Sequence, residues 1–139
     1  MTGKWWLAIG AFLGFASVAL GAFGAHGLKR AISEWELTPQ EQTRRLDNWV
    51  VAARYQMYHA LALMCVGLIT NRQSRRLLHV AAVAFCLGVV VFSGCLYAYV
   101  LTGAKAWALV VPVGGVLLLL GWLGVLVSVL LPHASRRSH

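Results

Sequence analysis

The sequence predicts an all-α fold: an integral membrane four-helix up-down bundle, with an outer amphipathic helix or loop between spans 1 and 2. Three observations predict it. Of the 139 residues, 60% are hydrophobic and 12% charged, about half the charge of an ordinary soluble domain. The charges are also bunched. No Asp, Glu, Lys or Arg falls between Lys4 and Lys29, Arg54 and Arg72, Arg76 and Lys105, or Lys105 and Arg136, gaps of 24, 17, 28 and 30 residues. A helix crosses a ~30 Å hydrocarbon layer with about 20 apolar residues, so the gaps place spans near 5–27, 50–70, 77–101 and 107–131 of one domain, 1–139. Finally, the runs lack the alternating polarity of a membrane β-barrel.

Span 1 has an apolar run of 21 residues, Trp5 to Ala25. A signal-peptide core has about 7–15, so a retained helix is expected. Small residues recur at Gly10, Gly14, Ser17, Gly21 and Gly24. Such seams let helix backbones approach where lipid provides no hydrophobic drive for association. The expected partner is another span of the same chain, and homo-oligomerisation is the sharper reading. The helix is expected to stop near His26, with Gly27 in the left-handed conformation and Lys29 and Arg30 facing the negative helix end.

The loop from about 31 to 48 contains "TPQE", residues 38–41. Thr38 as N-cap, Pro39 at the first helical position and Glu41 three residues after the cap form a helix-start signal. Leu46, Trp49, Val50 and Ala53 then follow at helical spacing, so this helix starts amphipathic and runs into span 2. It reaches about 48 Å if unbroken; a kink at the membrane boundary is the alternative. "NRQSRR" (71–76) and "TGAK" (102–105) are short turns that make neighbouring helices antiparallel. Span 4 repeats a small-residue seam at Gly114, Gly121 and Ser128. Trp5, Trp6, Trp49, Trp107 and Tyr99 fall near span ends, as interfacial anchors do.

The net charge of +8 lies at the span ends, which points to topology and anionic headgroups and away from nucleic acid. Lys4, Arg72, Arg75, Arg76, Arg136 and Arg137 share the side of the termini and carry no acids among them, which favours cytoplasmic termini. Cys65, Cys86 and Cys95 all fall inside spans, so they read as packing residues and not as a disulfide framework.

Chemistry-bearing residues gather toward one end of the spans. "RYQMYHALAL", residues 54–63, is the least lipid-like stretch inside a span. By depth, His26, Arg54, Tyr55, Tyr58, His59, Ser93, Tyr97 and Pro112 fall in the outer third, where four helices could direct them at one small pocket. Polar groups in hydrocarbon are expensive and turn toward protein or a wet cavity. Two readings remain open. The cluster is a hydrogen-bonded network that fixes helix register, or it is a binding pocket for a small amphiphile such as a quinone or a lipid headgroup. His26 and His59 could supply two axial haem ligands, but no companion pattern supports haem. No His/Cys pair has metal-ligand spacing, and no nucleophile, base and orienting group can be assembled. No metal, cofactor or enzymatic activity is therefore expected. The inner half lacks the polar residues that would line a transport path.

"GAFGAHGL" (21–28), "RYQMYHALAL" (54–63), "FSGCLY" (92–97) and "VPVGG" (111–115), in that order, resemble a family of small bacterial inner-membrane proteins of unknown function. A small transmembrane protein of animal mitochondria looks like a distant relative. The resemblance covers about residues 7 to 125 and implies four spans. Two departures are visible: Cys95 stands where the family pattern commonly has serine, and Val111 where threonine usually precedes the proline. The resemblance implies a multi-pass protein of the bacterial inner membrane and no established activity. The expected role is a non-enzymatic structural or accessory component, with the lipid bilayer and a larger membrane assembly as partners.

Overall fold

The structure is a computed structural model and describes residues 3–72 and 76–131. It is helical almost throughout. The elements are α1 (Gly3–Phe23), a π-helical turn (Gly24–Leu28), α2 (Lys29–Ser33), α3 (Pro39–Arg72), α4 (Arg76–Thr102) and α5 (Lys105–Leu130). Three stretches, Gly3–Ser33, Arg76–Thr102 and Lys105–Leu130, are long and apolar enough to cross a membrane. Helix α3, which holds the expected second span, is not among them. Polar residues of "RYQMYH" interrupt its apolar stretch. Arg75, Arg136 and Arg137, on which the orientation argument leans, lie outside the described residues.

The first helix overturns one expectation. It does not stop at His26. Gly103 is the only positive-φ residue among those described, at φ 71°, so Gly27 makes no left-handed cap. The helix instead widens into one π turn and resumes as α2. Burial accounts for the continuation. Leu28 and Ile32, each 1% exposed, pack with Trp49, Tyr99 and Val100, a gain that a chain ending at His26 would forgo.

Helix α3 starts where expected. The Glu41 amide donates to Thr38 Oγ1 at 3.3 Å, and Pro39 takes the first helical position, where its missing N–H is no loss. Only half of the reciprocal cap forms, because the Glu41 carboxylate pairs with Arg44 and Arg45. The helix is continuous over its 34 residues, a path of about 51 Å along its axis. At the other turn, Gly103 closes α4: its amide donates to Tyr99 O at 2.8 Å, and its positive φ is the backbone state that glycine adopts without a steric penalty.

Helix packing follows a seven-residue rhythm. On α1 and the π turn that continues it the buried small residues are Gly3, Gly10, Ser17 and Gly24, and on α5 they are Gly114, Gly121 and Ser128. A strict seven-residue period keeps one seam facing a neighbour when the helices cross at a shallow angle. Gly3 meets Gly67, Gly10 meets Ala60 and Met64, and Gly24 meets Trp49. Residue numbers thus fall along α3 as they rise along α1. The same opposition relates α4 to α5, where Gly88 meets Leu118, Phe92 meets Gly114 and Phe85 meets Gly121. Of the expected seam residues, Gly14 is only loosely packed and Gly21 has nothing near its α-carbon side position.

Two clusters hold the helices together. One gathers Trp6, Leu63, Val66, Leu78, Phe85 and Leu118. The other joins Leu28, Ile32, Trp49, Tyr99 and Val100. The anchor residues divide accordingly. Trp5 and Trp107 are exposed, as interfacial anchors are. Trp6, Trp49 and Tyr99 are buried in these clusters at 3–5% exposure, because their rings fill gaps between helices. The three cysteines are free.

Arg45 fastens the start of α3 to the end of α4. It donates to Val100 O at 2.9 Å and to Glu41 Oε1 at 3.2 Å, and its guanidinium lies 5.6 Å from the Trp35 ring centroid. Tyr99 also donates to Glu41, at 3.4 Å. Glu41 lies outside the expected spans. Its partial burial opposes the charge, but the hydrogen bond from Arg45 and the charges of Arg44 and Arg45 outweigh it, and its pKa falls below 4.5. A carboxyl with a lowered folded pKa contributes stability above its unfolded value and loses it as pH falls through the folded one. Acidification below about pH 4.5 is therefore expected to destabilise this end of the bundle. Thermal melts across pH 3–6 of the wild type and Glu41→Gln test this: the variant should lose the acid-dependent component.

Candidate functional site

The expected polar residues do not converge on one pocket. They separate into four places. Tyr55, Tyr58, His59 and Pro112 line one groove between α3 and α5, together with Phe92 and Trp122. Its volume is about 610 Å³. Ser93 and Tyr97, both on α4, are held instead in its contact with α3, where they bond to Ala52 and Gln56. His26 is exposed on the π turn, beside Lys29 and Arg30. Arg54 is exposed on the flank between α1 and α3.

His59 is fixed from both sides. The Trp122 indole is a donor only, and its Nε1 lies 3.2 Å from His59 Nε2. That nitrogen must accept, so the proton sits on Nδ1 and is donated to Tyr55 O at 2.7 Å. Phe85 lies 5.5 Å from the imidazole and 5.3 Å from the Trp122 ring. Both ring nitrogens are engaged, and neither faces His26. The arrangement offers no pair of axial ligands. Trp122→Phe is expected to cost about 1 kcal/mol, the worth of one intramolecular hydrogen bond, and to free Nε2. Nitrogen NMR of the labelled imidazole reads this as loss of the single-tautomer pattern. An unchanged spectrum would mean that the indole does not set the tautomer.

The second group is a tie between three helices. Gln56 donates to Leu13 O at 2.9 Å and accepts from the Tyr97 hydroxyl at 3.1 Å. Ser17 donates to Ala53 O at 2.7 Å and Ser93 to Ala52 O at 2.9 Å. Trp49 donates to Leu20 O at 2.8 Å and packs 4.6 Å from the Tyr97 ring. All but the Tyr97–Gln56 bond use the second lone pair of a backbone carbonyl on a neighbouring helix. Between membrane helices such bonds contribute about 0.6 kcal/mol each. Among the described residues no buried side-chain polar atom lacks a partner. At the far end of the bundle, Trp6 repeats the tryptophan-to-histidine bond, donating to His79 Nδ1 at 3.0 Å.

Sequence reading passed over Trp122, and it took Trp6 and Tyr99 for interfacial anchors and Glu41 for a cap, where the structure makes them bonding partners of His79 and of the Arg45 group. A tryptophan in mid-span, away from either interface, was the available signal for Trp122. Among the described residues no group of three His, Cys, Asp or Glu side chains could hold a metal ion. Cys95 is half-buried on α4, and neither it nor Val111 lines the α3–α5 groove.

Long helices with apolar outer faces and polar side chains bonded inward to neighbouring carbonyls define a helical integral membrane protein. Residues 20–115 match the family described as a protein of unknown function, DUF423, and the chain belongs to that family. Among its relatives, UPF0382 membrane protein SAB0533 of Staphylococcus aureus is 37% identical over 125 residues, 90% of this chain and 94% of the relative. UPF0382 inner membrane protein YgdD of Escherichia coli is 36% identical over 140 residues, 100% of this chain and 99% of the relative. No solved structure matches the chain.

Proposed function

We propose that this chain is a four-span, up-down protein of the bacterial cytoplasmic membrane. It is non-enzymatic and serves as a structural or accessory component, packed against lipid and a larger membrane assembly, with both termini cytoplasmic. One observation carries the reading. The polar side chains between helices are taken up by carbonyls and by one another: His59 by Tyr55 and Trp122, Gln56 by Leu13 and Tyr97, Ser17 and Ser93 by α3. That is how a network fixing helix register is built. The small-amphiphile pocket draws no comparable support, since His26 and Arg54 stand away from the α3–α5 groove.

The membrane placement has separate support. Helix α3 lies between α1 and α4 and runs opposite to each. Those two helices are apolar enough to cross a membrane, and α3 crosses with them, its polar groups turned onto their backbones. The Escherichia coli relative, named as an inner membrane protein, supports the inner membrane. The outer face of α5, with Leu109 80%, Leu119 69% and Leu130 72% exposed, suits lipid or a partner span.

Gentle purification from the native membrane, followed by native mass spectrometry, tests the role. Extraction by detergent but not by alkaline carbonate is expected, together with a stoichiometric protein partner. A protein that always runs alone, and whose deletion alters no membrane complex, would overturn the accessory role. A reporter active only in the cytoplasm, fused after the last residue, tests the orientation.

A further inference from the structure

Arg54 is a charge without a partner. It is exposed on α3 within the stretch expected to span. Among the described residues it makes no ion pair, hydrogen bond or ring contact, and the ion pairs present join Glu41 to Arg44 and Arg45. A charge inside the hydrocarbon layer is costly and is kept where it pairs with another charge or reaches water.

The depth of Arg54 is fixed by two bonds. Ser17 donates to Ala53 O and Trp49 to Leu20 O. Arg54 is thus level with the middle of α1, and Val18, Gly21 and Val50 lie between it and the outer end of that helix. With Met57 these residues wall a groove of about 390 Å³ that holds no acid and no charged side chain besides Arg54. The chain has four side-chain carboxylates, Glu34, Glu36, Glu41 and Asp47, all ahead of the second span. The nearest, Asp47, precedes Arg54 by two turns of α3, about 10 Å farther out, and makes no pair with it. A second copy inserted in the same orientation carries the same acids at the same outer level. A protein carboxylate at the depth of Arg54 therefore comes from a different chain. Gly21 gives such a chain room to approach, because a Cβ there would meet nothing within 4 Å, and small residues let membrane helices come close.

We propose that the α1–α3 flank is the docking face for a transmembrane helix of a different protein, one that sets an aspartate or glutamate against Arg54 and an apolar face along Val18, Gly21, Val50 and Met57. The guanidinium fork suits a carboxylate, which it holds by two parallel hydrogen bonds. Pairing also removes from the lipid two charges that are each costly there alone. The inference rests on the accessory role proposed above and names the chemistry of the partner and the face it meets.

Photocrosslinking in native membranes tests it, using the full chain with a photoreactive phenylalanine analogue in place of Val18, which is 63% exposed. The expected product joins Val18 to a span of a second protein that carries an acid at that depth. Arg54→Gln should lower its yield about tenfold, the weight of a strong polar contact between membrane helices, and Arg54→Lys should retain part of it. Exchanging the charges, Arg54→Glu with lysine in place of the partner's acid, should restore the yield. Gly21→Val should lower the yield without lowering the thermal midpoint, since nothing within the chain stands in its way. A crosslink only to lipid, to a second copy, or to a span without an acid overturns the proposal. So does the absence of any protein crosslink, a yield indifferent to Arg54→Gln, or a charge exchange that restores nothing. A stoichiometric partner in native mass spectrometry, with no such crosslink at Val18, would leave the accessory role standing and remove only this face.

Discussion

Truncating Phe85 to alanine is expected to destabilise the protein by about 3 kcal/mol, the lower part of the range for a buried aromatic. Phe85 is fully buried. Its ring fills the space left by Gly121 and packs edge-on against Trp122, 5.3 Å between centroids, and against His59 at 5.5 Å. The lower part applies because lipid is itself apolar, so the transfer contribution is small and the lost van der Waals contacts dominate. The alanine variant also removes a wall from beside the Trp122–His59 bond. Reversible unfolding in mixed micelles measures the loss, and a change under 1 kcal/mol would mean that the α4–α5 contact relaxes around the cavity.

Gly114→Val is expected to cost about 3 kcal/mol by the opposite route, overpacking. A Cβ at Gly114 would run into the Phe92 backbone, and a helix backbone cannot turn aside as a flexible side chain can. The two helices must separate along their length, which also shifts Pro112 and Trp122 at the α3–α5 groove. Gly94→Ala is the control. Nothing lies within 4 Å of its Cβ position, and replacing a helical glycine with alanine is expected to stabilise by about 0.5–1 kcal/mol. Unfolding of the two variants side by side separates close approach from mere glycine content. Equal midpoints would remove the packing role assigned to Gly114.

Some positions were legible because the signal is local. Thr38 and Pro39 start α3 through geometry that four residues set among themselves. Gly103 closes α4 because only a few backbone states let a chain leave a helix and turn. The spacing of Gly114, Gly121 and Ser128 announced a seam on α5 without reference to anything else. The first helix was read less well. Gly27 and its cations carry a sound local stop signal, yet Leu28 and Ile32 continue the helix because Trp49, Tyr99 and Val100, distant in sequence, are there to bury them. Gly21 fits the same glycine pattern as Gly24, but Gly24 packs on Trp49 and Gly21 on nothing.

The candidate site divides in the same way. That Arg54 to His59 is the polar centre of the chain was visible from composition, since no other expected span holds such a run. Which neighbours those side chains meet was not. Successive helical residues turn by about 100°, so the five polar residues among 54–59 spread around α3 and serve three different contacts. Tyr58 and His59 face α5, Gln56 ties α1 to α4, and Arg54 faces outward.

The sequence by itself determined the helical class, the apolar runs, the family and the start of α3, because those depend on composition, order and short-range geometry. The tertiary structure alone decided the π turn and its continuation, the partition of the polar residues, and the pairing of His59 with Trp122. These depend on helix rotation and on partners tens of residues away, and neither rotation nor partner is written in local spacing.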